Sequence, residues 1–333
     1  MQVATGPFGL AVTDPGLDLR VRDGLVGVEE LLRAAARSEH PFIAQTASHL
    51  VNAGGKRFRP MLTLLAAEFG DYAAPGVRPA AAVVELTHLA TLYHDDVMDE
   101  APLRRGVPTA NARWDNSVAI LTGDYLFAKA SQILADLGPE AVRLQAETFE
   151  RLVTGQINEC IGPKDGQAAI DHYLSVLVDK TGSLIATSVR FGALLSNAGE
   201  QITDTLTRFG EVFGMAFQLS DDVLDIASDS DQSGKTPGTD LREGVPTLPT
   251  LYALASTDRE SARLRELLSA PIEDDALIDE VIAALRVHPA LDEARATVRR
   301  YADEARDLLV ALPENSAKDT LLALCDIVTS RTV

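Results

Sequence analysis

Cysteine is scarce in this 333-residue chain. Cys160 and Cys325 are the only two, too few for a disulfide framework and without zinc-ligand spacing. A reducing cytoplasm suits such a chain. No uninterrupted apolar run reaches the roughly 18 residues of a membrane-spanning helix. The N-terminal stretch MQVATGPFGLAVTDPGLDLRVRDG has no basic segment followed by an apolar core, so residues 1–25 read as a loose arm and not as a signal peptide. Aromatic content is only 5%, while alanine and leucine are frequent, a balance that suits packed helices. Lysine is rare as well: six residues against 24 arginines, in a chain of net charge −19. Nothing resembles a basic face for nucleic acid. The same charge would repel any anionic ligand unless cations are concentrated locally.

What is present is helical pattern. Apolar residues recur at helical spacing across 26–38, 41–52, 60–70, 78–100, 114–137, 139–161, 169–197 and 201–228. Shorter stretches of the same kind follow near 247–256, 258–270, 274–287, 290–311 and 316–331. Breaks fall at Gly54-Gly55, Pro75-Gly76, Gly138-Pro139, Gly162-Pro163, Gly199 and between Ser228 and Pro249. No alternating strand pattern and no linker rich in Pro, Gly or Ser is evident. The expectation is an all-α fold: one domain over residues 26–333, a bundle of long helices around a central cavity.

Into this pattern the chain sets two Asp-Asp-x-x-Asp groups. Asp95, Asp96 and Asp99 lie in LYHDDVMDE, and Asp221, Asp222 and Asp225 lie in QLSDDVLDI. Acidic pairs on helices are usually solvated faces or first-turn charges that favour the helix dipole. Asp274, Asp275 and Asp279, which follow a proline and open a helix, are read that way. The two main groups differ, because several apolar turns precede each and the dipole disfavours acid late in a helix. A buried carboxylate needs a partner or a metal. Helical spacing puts Asp95 and Asp99 on one face, and likewise Asp221 and Asp225. Two such faces opposed across a cavity would suit Mg²⁺, which prefers a few carboxylates together with waters and substrate phosphates.

Cations are concentrated in a few places. GGKRFRP puts Lys56, Arg57 and Arg59 just before a helix beginning near Pro60, a setting that favours phosphate. A basic loop without a ligand is the competing reading. Arg104 and Arg105 follow the first Asp group and could clamp a diphosphate, or simply pair with Asp99 or Glu100. Lys180 lies in DKTGS and Lys235 in SGKTPGTD. His88 precedes Asp95 by seven residues on the same helix face, as a phosphate contact or as a satisfied core histidine.

In combination and in order, the Gly-Gly-Lys-Arg-x-Arg-Pro run, both aspartate groups, Arg104-Arg105-Gly106, Gly123-Asp124, Lys180-Thr181 and Gln218 resemble the trans-isoprenyl (E-polyprenyl) diphosphate synthases, medium- and long-chain bacterial members among them. The resemblance covers residues 28–330 and implies the type I isoprenoid synthase fold. It implies a prenyltransferase that condenses isopentenyl diphosphate onto an allylic diphosphate, geranyl or farnesyl. Asp95, Asp96, Asp99, Asp221 and Asp225 would hold Mg²⁺, about three ions per site, with Asp222 in support. Arg104, Lys180, Thr181, Gln218 and Lys235 would contact the allylic diphosphate, with Lys180 counted beside the aspartates as catalytic. Gly55, Lys56, Arg59, His88 and Arg105 would serve isopentenyl diphosphate. Family members often carry a further lysine in Glu-Gly-Lys-x-Thr-Leu-Pro. Here REGVPTLP has Val245 at that place, so one diphosphate contact is missing or comes from Arg242.

Product length is read from the helix below Asp95. Thr91 lies one turn away, about 5.4 Å. Ala90 and Thr91 are small, as are Thr87, Val84, Val83 and Ala80 further down, so the tail tunnel is open for several turns. A product of roughly C30–C50, of the kind used as a quinone side chain, is expected at about one isoprene unit per turn. Leu126, Ala130 and Leu134 are candidates for the tunnel floor. Small residues that only permit tight packing are the competing reading. A shorter C15–C20 synthase, a class I terpene cyclase and a subunit of a heteromeric synthase are the alternatives. The resemblance also implies a homodimer, and a long apolar product implies transient membrane contact on release.

Overall fold

The computed structural model describes residues 14–227, 238–257, 259, 261–270, 272 and 274–332. Helices account for most of it. In chain order they are α1 (Pro15–Ala35), α2 (Pro41–Asn52), α3 (Phe58–Ala67), α4 (Val77–Met98), α5 (Ala110–Arg113), α6 (Asn116–Leu137) and α7 (Pro139–Ile161). There follow α8 (Ala169–Leu177), α9 (Ser183–Leu195), α10 (Glu200–Ala227), α11 (Thr239–Glu243) and α12 (Leu248–Ala255). The last four are α13 (Ala262–Leu267), α14 (Asp275–Val287), α15 (Pro289–Leu309) and α16 (Ser316–Ser330). The all-α expectation holds, with three local departures.

The first departure is the N-terminal arm. Residues 1–13 lie outside the described residues, but 14–25 are no arm, because α1 already begins at Pro15. Asp14 caps it, its carboxylate accepting from Gly16 N at 2.7 Å and Leu17 N at 3.3 Å. Pro15 therefore opens a helix from its first position, where its missing N–H costs nothing. The second is a two-stranded hairpin, β1 (Leu103–Arg104) against β2 (Val107–Pro108). Arg105 and Gly106, at φ 53° and 77°, make its two-residue turn, which requires positive φ at both positions. The third is a π-turn at Val178–Gly182, which separates α8 from α9 where one continuous helix was expected.

Contacts divide the chain into two compact units. One holds the described part of Met1–Phe149 with Leu184–Gly210 and Ala311–Leu321. The other holds Glu150–Ser183 with the described parts of Glu211–Val310 and Leu322–Val333. The boundaries at 149/150, 210/211 and 321/322 fall inside α7, α10 and α16.

In the first unit α4 is the axis. Ala80 to Thr87 are buried without interruption, as are Leu89, Ala90 and Tyr93. Helices α1, α3 and α6 pack on it. The α6 contact is close because position 123 is glycine: a Cβ there would lie 2.4 Å from His94 Nε2 and 3.0 Å from the Ala90 carbonyl. Tyr93 ties α4 to α2, donating to Thr46 O at 2.6 Å and accepting from Leu50 N at 3.1 Å. In the second unit α12 packs on α15 and α8, and α14 on α15. The buried stripe Leu291, Ala294, Val298, Ala302, Ala305 and Leu309 on α15 has the three- and four-residue spacing that the sequence displays.

Candidate active site

The loop before α3 carries the first cluster of cations. Gly54 and Gly55 have φ of 81° and 146°. A side chain at Gly55 would strike the Arg105 guanidinium, whose Cζ would lie 2.9 Å from an added Cβ. That guanidinium folds back from the hairpin onto the Gly54 carbonyl. The glycine therefore makes room for an arginine of the same unit as well as freeing the backbone. Arg57, which the motif grouped with Lys56 and Arg59, is buried and engaged elsewhere. It pairs with Glu29, with Glu85 at 2.8 Å, and with the carbonyls of Val51 at 3.0 Å and Gly54 at 3.3 Å. It braces the loop. Lys56 is exposed, and Arg59 begins inside α3.

Arg59 Nε is enclosed and has no hydrogen-bond partner. Burial lowers the Arg59 pKa, Glu85 opposes that, and Arg105 adds to it. Beside it, His88 on α4 is held well below the ordinary imidazole value, first by removal from water and then by Arg59, Arg105, Arg104 and Arg57. Arg59, Arg105 and the neutral His88 imidazole make a cradle for an anion, in a chain whose net charge is −19. The neutral histidine has a measurable consequence. The unfolded chain takes up a proton near pH 6.5 that folded His88 refuses, so this contribution to stability is lost as pH falls below that value. Urea unfolding from pH 7.5 to 5.5 should show a steeper acid-side loss for the wild type than for His88→Gln. Parallel curves would remove His88 from the cluster.

The first Asp group ends α4, as expected. Asp95 and Asp96 lie in its last turn and Asp99 is its C-cap. Asp96 is wholly buried, and its Oδ1 accepts from Arg104 Nε at 2.6 Å. Burial raises the Asp96 pKa against the pull of Arg104. Its Oδ2 is enclosed without a hydrogen-bond partner. Arg104 also reaches Asp99 at 3.9 Å. The hairpin thus turns its two arginines to different tasks, Arg104 to the aspartates and Arg105 to the Gly54-Gly55 loop.

The second unit carries the other group in the last turns of α10. Asp221 accepts from Arg331 Nη2 at 2.8 Å. Arg331 is itself fixed by Ser220 Oγ at 2.7 Å and Phe217 O at 3.0 Å. Asp225 accepts from the backbone N–H groups of Thr239 at 3.2 Å and Asp240 at 3.3 Å, at the start of α11. Both oxygens of Asp222 are engaged, Oδ1 by Gln218 at 3.1 Å and Oδ2 by the Tyr173 hydroxyl. Burial pushes its carboxyl up to about 7. Gln218 in turn accepts from Thr181 Oγ1 at 3.3 Å, so a hydrogen-bond chain joins the π-turn to the second Asp group. Lys180 donates to Glu159 at 2.5 Å. Lys235 lies outside the described residues. Arg242, the candidate substitute for the lysine replaced by Val245, donates to Asp275 at 3.0 Å.

Sequence reasoning missed Tyr173, Arg331, Arg151 and Glu159. Arg331 has no local signal, standing two residues from the end of the sequence. For the metal, the donors present are carboxylate oxygens. Among the described residues no group of three or more His, Cys, Asp or Glu side chains is assembled for an ion. Mg²⁺ asks for less, one or two carboxylates with waters and phosphates, and the unpartnered Asp96 Oδ2 is an oxygen of the required kind. The residues fit.

Along α4, Ala90 is fully buried and Thr91 partly so. Thr87 Oγ1 accepts from Gln145 Nε2 of α7 at 2.8 Å. Gln145 borders a cavity of about 400 Å³ between α6 and α7, lined also by Ala130, Leu134, Phe127 and Phe149. Two of the three floor candidates thus line it, and Leu126 is buried beside them without lining it. The two phenylalanines, 4.4 Å apart between ring centres, come from α6 and α7 and not from α4.

The polyprenyl synthetase family model matches residues 40–285. The nonaprenyl diphosphate synthase of Mycobacterium tuberculosis is 48% identical over 329 residues, 98% of each chain. A solved geranylgeranyl pyrophosphate synthase of Corynebacterium glutamicum, complexed with calcium and isoprenyl diphosphate, is 46% identical with a TM-score of 0.87, covering 96% of this chain and 98% of that one. A decaprenyl diphosphate synthase structure from Rhodobacter capsulatus is 35% identical with a TM-score of 0.86, covering 96% and 99%.

Proposed function

This chain belongs to the polyprenyl synthetase family and is a prenyltransferase, and we propose that it condenses isopentenyl diphosphate onto geranyl or farnesyl diphosphate. The observation that carries the substrate assignment is the anion cradle, in which Arg59 Nε is enclosed without a partner beside a neutral His88. A terpene cyclase needs no second diphosphate site and leaves that cradle unexplained. Intact aspartate groups argue against a non-catalytic subunit.

Roles follow from chemistry. Asp95, Asp96, Asp99, Asp221 and Asp225 would hold Mg²⁺, about three ions, with Asp222 kept in place by Gln218 and Tyr173. When bound, the metal neutralises charge on the departing diphosphate and so favours ionisation of the allylic C–O bond. Arg104, Lys180, Thr181, Gln218 and Lys235 add donors to that diphosphate. Lys56, Arg59, His88 and Arg105 hold isopentenyl diphosphate, whose double bond attacks the allylic carbon. A neutral His88 donates one N–H to a phosphate oxygen without adding charge. The proton lost after attack goes to the departing diphosphate, consistent with the lack of an obvious protein base.

The product is a medium-to-long chain of roughly C30–C50, at about one isoprene unit per helical turn. Support comes from the small residues Ala90 and Thr91 and from the cavity bordered by Gln145, whose amide donates to Thr87. The relatives, similar in identity, carry product names of different length, so this reading rests on the chain's own helices. A homodimer is consistent with the exposed Ile120 and Leu121 on α6. A reducing cytoplasm is consistent with the unpaired thiols of Cys160 and Cys325. Among the described residues no helix is long and apolar enough to cross a membrane, and contact with the bilayer would be transient, at product release.

The test is incubation of the purified protein with Mg²⁺, labelled isopentenyl diphosphate and farnesyl diphosphate, followed by sizing of the dephosphorylated products. A ladder ending at roughly C30–C50 is expected, and Ala90→Phe or Thr91→Phe should shorten it by placing a ring about one turn below Asp95. A C15–C20 product would keep the reaction and overturn the length. No condensation with geranyl or farnesyl primer would overturn the reaction for the isolated chain.

A further inference from the structure

The π-turn Val178–Gly182 presents Lys180 and Thr181, and its geometry has to be imposed from outside. A π-turn replaces regular helical hydrogen bonds with wider ones and is rare unless something holds it. Helix α7 supplies what holds this one. Arg151, Gly155 and Glu159 recur every fourth residue, so they form one stripe along α7. Each meets a different part of the turn. Arg151 Nε donates to Asp179 Oδ1 at 2.9 Å, and its Nη2 reaches the Val178 carbonyl at 3.4 Å and Glu211 Oε1 of α10 at 2.5 Å. Gly155 lets the backbones touch, since a Cβ there would lie 2.8 Å from Lys180 N and 3.1 Å from Asp179 Cβ. Glu159 takes the Lys180 ammonium at 2.5 Å. The Ser183 hydroxyl closes the turn on the Asp179 carbonyl at 2.5 Å.

We propose that Arg151 is a positioning residue for condensation: by clamping Asp179, Val178 and Glu211 together it sets the π-turn from which Lys180 and Thr181 reach the allylic diphosphate. Arg151 touches no substrate itself. The forked guanidinium suits the task because it can bind three acceptors in fixed directions, where a lysine ammonium on a flexible stem cannot. A role in stability alone fits poorly. Arg151, Asp179 and Glu211 are each 27–39% exposed, and ion pairs so exposed contribute little to folding. The inference rests on the reading of Lys180 and Thr181 as diphosphate contacts.

The experiment is steady-state kinetics with Mg²⁺ on wild type, Arg151→Met and Arg151→Lys, varying farnesyl and isopentenyl diphosphates separately, with thermal melts of each protein. Arg151→Met should lower kcat/KM for farnesyl diphosphate about 100-fold, the scale of a group misplaced by about 1 Å. Its KM for isopentenyl diphosphate should stay within about twofold, since Arg59, His88 and Arg105 are not on this turn. Arg151→Lys should regain part of the loss. Unchanged farnesyl kinetics, or a KM for isopentenyl diphosphate raised well beyond about twofold, would overturn the proposal. If Arg151→Met does not fold, Glu211→Gln, which weakens one arm of the clamp, decides by the same ratio. An inactive wild type would instead sink the prenyltransfer reading, so the two failures are distinguishable.

Discussion

Asp95→Ala is expected to slow condensation about a hundred- to a thousandfold and to leave the fold intact, since removing one group that stabilises developing charge typically costs two to three orders of magnitude. Two independent arguments separate the activity from the fold. Asp95 stands in the last turn of α4, where the helix dipole disfavours acid, so losing the carboxylate does not weaken the helix. It is also outside the buried run from Ala80 to Thr87 that makes α4 the axis of its unit. Single-turnover condensation, far-UV circular dichroism and a melt with and without Mg²⁺ plus inorganic pyrophosphate make the test. Wild type should gain thermal stability from the two together, and Asp95→Ala should gain much less. Near-normal turnover in the variant would refute the metal assignment.

The largest effect on stability is expected from Arg57→Met, about 3–5 kcal/mol of destabilisation, the cost of leaving one partner of a buried ion pair uncompensated. Arg57 is 6% exposed and Glu85 2%. With the guanidinium gone, Glu85 is left in an enclosed site without its salt-bridge partner. The loop carbonyls of Val51 and Gly54 lose their donor as well. Replacing both partners, as in Arg57→Met with Glu85→Leu, should recover much of the loss, because apolar residues of similar volume do well where a buried pair stood. Urea midpoints of wild type, the single variants and the double variant measure this. A loss of only about 1 kcal/mol in Arg57→Met, the scale of an exposed pair, would mean that water reaches Glu85.

Arg57 also shows how far a motif can be read. GGKRFRP announced three cations for phosphate, and the structure spends one of them on the loop's own support. Nothing in the run distinguishes Arg57 from Arg59, because the acids that claim it, Glu29 and Glu85, are 28 residues away on either side. The two Asp groups were legible for the opposite reason. Carboxylates after several apolar helical turns violate a local rule, and such violations mark functional sites. The loose-arm reading failed at Asp14-Pro15 because a cap followed by proline resembles a turn until the helix after it is considered.

The sequence by itself determined the all-α class, most helix bounds, the family and the identity of the charged residues, since helical periodicity and local charge are properties of neighbours along the chain. Only the tertiary structure decided that Arg57 is a brace, that a hairpin carries Arg104 and Arg105, that Arg331 anchors Asp221, and that a π-turn is seated on α7. Each of these depends on partners brought together from distant positions, and pairing at that range leaves no period or spacing in a single chain to read.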